Sequence, residues 1–235
     1  SDVCSSDLNL QGFSNVLTVA SSRGVKNFIY ASSSSIYGNS SEKQFNESIV
    51  PAPVSFYGAT KRSNEVLAFA TSAVTGIKTR GLRFFTIYGP WGRPDMVYFR
   101  MVASALSKNP FDFYGDGTIE RDFTYISDAV TMITELEIEL RSHQAGFADV
   151  VNIGGGKPRS IQQIMSIIKR IAKTEVPFNR QEADTSDVKR TSADFGYLES
   201  LIGNFPKVDA ECGLQKFYEW AIQPEIRKKL NNWIN

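Results

Sequence analysis

Val25-Lys26-Asn27-Phe28-Ile29-Tyr30 runs directly into Ala31-Ser32-Ser33-Ser34-Ser35-Ile36-Tyr37-Gly38. The first half is apolar and aromatic enough for a buried strand, predicted over 25–32, and the serine cluster closed by Gly38 is where that strand stops. Hydroxyls at the C-terminal end of a strand lie where open α/β sheets receive their ligands. Upstream, Leu10, Phe13, Val16, Leu17 and Ala20 recur at three- and four-residue intervals, which predicts an amphipathic helix over 9–23 ended by Gly24. A helix leading straight into a buried strand is the repeating step of an α/β sheet.

Downstream, a Ser-, Pro- and Glu-rich loop over 39–55 precedes a helix that carries Tyr57 and Lys61, runs to about residue 75 and stops at Gly76. A tyrosine and a lysine four residues apart project from one helix face, one turn apart. The neighbouring ammonium favours the phenolate, so Tyr57 is a candidate acid/base with Lys61 as its tuning cation. On spacing alone such a pair is usually one buried ring and one solvated charge. The next strand is predicted over 77–85, and the Gly and Pro residues of 86–94 read as a loop at the same sheet end.

Further on, the sequence predicts a helix over 96–107, short strands over 111–114 and 121–125, and a helix over 127–141 with Ser127 as N-cap. A strand over 150–153 ends in Gly154-Gly155-Gly156, read as a tight turn. Ser160 then caps a helix whose Ile161, Ile164, Ile168 and Ile171 form a core stripe. Two more helices are predicted near 193–201 and 210–221.

The 235 residues, 42% hydrophobic and 22% charged, suit one large globular domain or two small ones. A net charge of +1 gives no long-range attraction for nucleic acid or an anionic membrane surface. The basic run Arg227-Lys228-Lys229 reads as a solvated helix face. No apolar run approaches the roughly 18 residues of a spanning helix, and no signal-peptide pattern opens the chain, so a cytoplasmic protein is expected. Cys4, Cys212 and His143 fit no metal spacing, and neither a disulfide nor a bound metal is expected.

The strand with "YASSSSIYG", then "FYGATK", then "GLRFFTIYGPWGRPDM" resembles the extended short-chain dehydrogenase/reductase family of NAD-dependent nucleotide-sugar epimerases and dehydratases. The branch most nearly matched inverts carbon 4 of UDP-glucuronate. The likeness runs from about Asn9 to about Trp220. The octet 1–8 does not continue the pattern and resembles translated adaptor sequence, so it is set aside as non-native. What the resemblance implies is a Rossmann-like parallel sheet over 9–94, and mainly a smaller α+β sugar-nucleotide domain over 95–235. Residues 121–153 would return elements to the main sheet.

The resemblance assigns catalysis to Tyr57, Lys61 and Ser33, and cofactor contacts to Tyr57, Lys61, Ser32 and Phe84. Substrate contacts fall to Ser34, Ser35, Thr86, Arg93, Arg121 and Asp187, while Asp184 departs from the Arg or Gln common in the family. The implied reaction is isomerisation of UDP-glucuronate to UDP-galacturonate through a 4-keto sugar, with NAD as cofactor. Arg93 and Thr86 would hold the uronate carboxylate and so suppress loss of carbon dioxide. Dehydratases carry an Asp-Glu pair where Ser34-Ser35 stand, and UDP-glucuronate decarboxylases usually a Glu at the position of Ser35. A UDP-glucose/UDP-galactose 4-epimerase, a decarboxylase and a non-catalytic sugar-nucleotide-binding module stay open beside the uronate epimerase. Family members usually pair through two helices, matched here by 10–23 and 56–75, so a homodimer is expected of the full-length protein.

The family pattern opens with a strand, a GxxGxxG turn and a helix that holds the pyrophosphate. Roughly its first 90 residues have no counterpart here, and Gly154-Gly155-Gly156 lacks the spacing. The expectation is a chain without the glycine-rich half of its sheet, with an open edge at strand 25–32, weak NAD binding and no activity of its own.

Overall fold

The computed structural model of the protein describes residues 7–182, 190–204 and 207–233. It opens with a π-helical turn, Asp7–Gly12, that continues into α1, Phe13–Ser22. Then come β1 (Asn27–Ser33), α2 (Phe56–Thr75), β2 (Lys78–Phe84), β3 (Thr86–Tyr88), α3 (Val97–Ser107), β4 (Phe111–Tyr114) and β5 (Glu120–Tyr125). They are followed by α4 (Ile126–Leu140), β6 (Ala148–Ile153), β7 (Pro158–Ser160), α5 (Ile161–Ala172), β8 (Phe178–Gln181), α6 (Gly196–Ile202), α7 (Ala210–Ala221) and α8 (Pro224–Trp233).

The main sheet is parallel, in the order β1-β2-β6. Among the described residues β1 pairs with β2 alone, so it lies at an edge. Side chains alternate between the two faces of a strand, and the sequence uses both. Ile29, Leu82, Phe84, Val151 and Ile153 face Ala129, Met132 and Leu136 of α4 and Leu198 of α6. Tyr30 turns the other way, onto Leu17 of α1 and Ala68 of α2. Helices on both faces of a parallel sheet give the doubly wound, Rossmann-like α/β architecture the sequence predicts.

A second layer builds on two small sheets, β3-β5-β7 and β4-β8. The largest apolar cluster lies here, with Tyr98 and Phe99 from α3, Ile164 and Ile168 from α5, and Leu214, Phe217 and Trp220 from α7. The stripe of α5 is core as expected: Ile161, Ile164 and Ile168 are buried and Ile171 packs against them. Its start is fixed by a full capping box, in which Ser160 Oγ accepts from Gln163 N and Gln163 accepts in return from Ser160 N.

Some boundaries differ from expectation. Thr86–Tyr88, expected as loop, is a three-residue strand because β5 pairs with it in parallel; such a partner leaves no trace in local sequence. Helix α4 begins at Ile126, with Tyr125 at the N-cap position and no side-chain cap, so Ser127 sits inside the first turn and donates to Asp128 Oδ1 instead. Helix α6 begins three residues later than predicted, and α8 and the polar strand β8 are additional. Arg227, Lys228 and Lys229 are exposed on α8.

Ile164 is fully buried in the largest cluster. Ile164→Ala is expected to cost about 2–5 kcal/mol of unfolding free energy through lost transfer and the cavity left behind. Urea denaturation followed by circular dichroism checks this.

Candidate active site

The strand that decides the fold also begins the site. At the end of β1 the chain stays extended through Ser33 (φ −155°, ψ 147°) and then winds into a single 3-10 turn, Ser34–Tyr37. Ser33 Oγ caps that turn by accepting from Ser35 N at 3.1 Å, and donates to Ser35 Oγ at 3.1 Å.

Helix α2 is set directly against this turn. Ser55 caps it, its Oγ accepting from Gly58 N at 3.0 Å. Gly58 has to be glycine, since a Cβ there would lie 2.6 Å from the Ser35 carbonyl oxygen. The close approach brings the first turn of α2, with Tyr57, to the serine turn. One turn on, Lys61 Nζ donates to the Ala31 carbonyl of β1 at 3.2 Å and lies 5.8 Å from the centroid of the Tyr57 ring. Tyr57 is 43% exposed, while Lys61 is half-buried and burial lowers its ammonium pKa from the usual lysine value. The structure therefore joins Tyr57, Lys61 and the serine turn at one end of the sheet.

Ser32 is a different case. It is buried and its hydroxyl donates to Glu65 Oε1 at 2.6 Å, so that hydroxyl is turned toward α2. Phe84 is half-buried in the apolar layer under the sheet. Ser34 and Ser35 are half-buried in the 3-10 turn itself.

Glu65 belongs to a buried network that the sequence reading overlooked. Its Oε1 also accepts from Arg83 Nε at 2.9 Å, and its Oε2 from Arg83 Nη2 at 3.0 Å and Arg62 Nη1 at 2.9 Å. Burial alone would push this carboxyl up, but the bonds and charge of Arg83, with Ser32 and Arg62, hold it below the usual glutamate range. Arg83 Nη1 donates on to Tyr37 Oη at 2.9 Å, and Tyr37 to Asn152 Oδ1 at 2.7 Å. Glu65 stands four residues after Lys61, a spacing at which a charge ordinarily reads as a solvated face.

Within the second layer, a cavity of about 320 Å³ opens among β3, β4, β5 and α3. Thr86, Asp95, Arg100, Phe111, Phe123 and Arg121 are among its lining residues. Thr86 and Arg121 thus face one space. Arg93 lies outside it, exposed, and grips Asp95 with its fork, Nε to Oδ1 at 3.0 Å and Nη2 to Oδ2 at 2.5 Å. The bond to Asp95 raises the Arg93 pKa and lowers that of Asp95, and Tyr57 lies within the electrostatic reach of Arg93. Arg100 and Asp95 were not anticipated: Arg100 falls inside the helix predicted over 96–107, and Asp95 between that helix and the loop before it. Asp187 and Asp184 lie outside the described residues.

The glycine cluster after β6 has a partner of its own. Asp122, fully buried beside Arg121, accepts from Gly156 N at 2.8 Å and Ala193 N at 2.9 Å as well as from Gly155 N. Burial raises its carboxyl pKa against the pull of those three amides. Two of the three glycine amides are thereby spent inside the protein, which fits the tight turn expected here and not a phosphate cradle.

The model of the NAD dependent epimerase/dehydratase family matches residues 5–154. The chain is 38% identical over 217 residues to an uncharacterized protein of Methanocaldococcus jannaschii, covering 92% of this chain and 65% of that one. It is 36% identical over 233 residues to a probable UDP-glucuronate 4-epimerase of Rhizobium meliloti, covering 92% and 68%. The chain therefore spans about two thirds of the length of these curated relatives. Among solved structures, the UDP-glucuronic acid 4-epimerase of Bacillus cereus in complex with UDP-glucuronic acid and NAD superimposes with a TM-score of 0.84 at 31% identity, over 95% of this chain and 68% of that one.

The depressed Glu65 carboxyl gives a pH prediction. Its contribution to stability is complete above the ordinary glutamate value of 4.5 and is lost as pH falls through the lower folded value. Glu65→Gln is expected to cost about 3–5 kcal/mol at pH 7, because Arg83 is left buried without its counter-charge. It should also flatten part of the acid loss. Urea midpoints measured between pH 7 and pH 3 test both.

Proposed function

Because the chain belongs to the NAD dependent epimerase/dehydratase family, we propose that it carries the proton-transfer and substrate side of a carbon-4 epimerase for a UDP-hexuronic acid. UDP-glucuronate and UDP-galacturonate interconvert in this reading, through a 4-keto sugar. What supports it is the packing of α2 on the serine turn, with Gly58 against the Ser35 carbonyl and Lys61 Nζ on the Ala31 carbonyl.

Tyr57 removes the proton from the carbon-4 hydroxyl and later returns it, with the Lys61 ammonium beside the developing phenolate. Ser33 holds the same sugar oxygen after its hydroxyl turns away from Ser35. Bound NAD would supply the hydride acceptor and donor for carbon 4. The residues present fit the nicotinamide end of that cofactor: Lys61 uses one donor on Ala31 and has two more for ribose hydroxyls. Among the described residues the glycine turn after β6 offers the pyrophosphate end no cradle, since the amides of Gly155 and Gly156 are committed to Asp122. With β1 at the sheet edge among the described residues, we propose that this chain by itself binds NAD weakly and is inactive.

Arg93 supports the uronate over a neutral sugar. A guanidinium fork holds a carboxylate bidentately, and Arg93 already does so with Asp95. Both side chains are well exposed, 77% and 60%, so that pair is worth at most about 1 kcal/mol and a substrate carboxylate replaces Asp95 at small cost. Fixing the carboxylate opposes decarboxylation of the β-keto acid. Ser34 and Ser35 supply no carboxylate for dehydration. The cavity between Arg100, Arg121, Phe111 and Phe123 takes the uridine diphosphate, with the aromatic rings for the base and the guanidinium groups for the phosphates.

The chain alone and the chain joined to a complete N-terminal half of the family, each offered UDP-glucuronate, UDP-glucose and UDP-galactose separately, provide the test. The joined protein is expected to make UDP-galacturonate, and Tyr57→Phe to lower kcat by about 10²–10⁴-fold. Conversion of neutral sugars alone would reject the role of Arg93, and a UDP-xylose product would reject epimerisation. The exposed apolar side chains Val16 and Val19 of α1 and Val66, Leu67 and Phe69 of α2 support pairing of two copies through these helices. Sedimentation of the joined protein at micromolar concentration is expected to give a dimer, and monomer alone would count against this pairing.

A further inference from the structure

Ser32, Arg83 and Asn152 are register partners on the three strands of the main sheet: Ser32 pairs with Arg83, and Arg83 with Asn152. All three are buried, one residue short of the strand ends. A polar line across a buried sheet face is costly, because each group must find a partner away from water. Here each does. Ser32 and Arg83 converge on Glu65 of α2, Arg83 reaches Tyr37 in the serine turn, and Asn152 Nδ2 donates to the Phe45 carbonyl while its backbone amide donates to Glu47 Oε1.

A buried ion pair is a poor device for stability, since apolar residues of similar volume usually serve as well or better. What the three directional bonds from Ser32 and Arg83 to one carboxylate provide is position. Glu65 lies one helical turn after Lys61 and two after Tyr57, on the same stripe of α2. A slide of α2 along β1 breaks the bonds to Ser32 and Arg83 together.

We propose that Glu65 is a positioning residue: by gripping Ser32 on the strand that ends in Ser33, and Arg83 on the strand beside it, Glu65 sets where α2 stands on the sheet and so where Tyr57 and Lys61 meet the serine turn. Its functional meaning rests on the roles given above to Tyr57, Lys61 and Ser33; the geometry does not. Ser32 is the sheet-side half of this device. The Lys61 contact to the Ala31 carbonyl, and the burial that lowers the Lys61 pKa, both follow from that placement.

The test needs neither NAD nor sugar. Lys61 in the chain as it stands is labelled with acetic anhydride at a series of pH values, and its labelling midpoint is read by mass spectrometry. Lys78, which donates to the Arg141 carbonyl at the other end of β2, is the internal reference. In Ser32→Ala, which keeps the Glu65–Arg83 pair, the Lys61 midpoint should move up toward the ordinary lysine value by about half a pH unit, a threefold change in neutral fraction, with Lys78 unmoved. Glu65→Gln should move it further, and Glu65→Asp, a methylene shorter, should not restore it.

If Ser32→Ala leaves the Lys61 profile superimposable on wild type, Glu65 is a structural residue only and the proposal falls, whatever happens to stability. Should Glu65→Gln fail to fold, Ser32→Ala decides alone. Absence of epimerase activity in the joined protein would overturn the functional reading and leave this result standing, so the two failures are distinguishable.

Discussion

Parallel pairing of β1, β2 and β6 puts three strand ends at one level, and the site follows from that constraint. In a parallel ladder every strand leaves the sheet at the same edge. The serine turn after Ser33, the stretch from Phe85 to Arg93 after β2, and the glycine turn after Ile153 therefore emerge side by side. None of these segments is near another in sequence. The register brings them together, and the close packing of Gly58 on the Ser35 carbonyl adds the fourth piece, the start of α2.

How legible each part was depended on whether its cause is local. Helix α2 was readable because Ser55 and Gly76 bound it and Gly76 takes the left-handed conformation at φ 77°. The stripe of α5 was readable from periodicity and the Ser160 cap. Thr86–Tyr88 and Phe178–Gln181 were not, because each is a strand only by virtue of a partner 35 or more residues away, β5 and β4 respectively. The Tyr57 and Lys61 pair was visible as spacing, but its meaning came from the resemblance of three sequence blocks and then from the contact with Ala31.

The buried charges were the least legible. Glu65 at helical spacing from Lys61, and Arg83 inside an apolar run, each read alone as a solvent-facing exception to its element. Only the register that sets Ser32 opposite Arg83 shows them to be one network. Asp122 was passed over beside Arg121 for the same reason. Its three partners are backbone amides from two distant loops, which leave no signature in side-chain pattern.

Strand β2 shows why such charges recur in this sheet. It carries two fully buried arginines three residues apart, and an odd spacing sends them to opposite faces. Arg83 goes to Glu65 of α2. Arg80 goes to the other face, where it is bidentate to Asp149 of β6 at 2.8 Å and also donates to Glu139 and to the Leu136 carbonyl of α4. Apolar contact between a helix and a sheet is non-directional and tolerates sliding; ion pairs of fixed geometry do not. One arginine ties each helical layer to the central strand, Arg80 nearer its start and Arg83 nearer its end. The layer tied at the end is the one that carries Tyr57 and Lys61, so the fixed geometry lies nearest the serine turn.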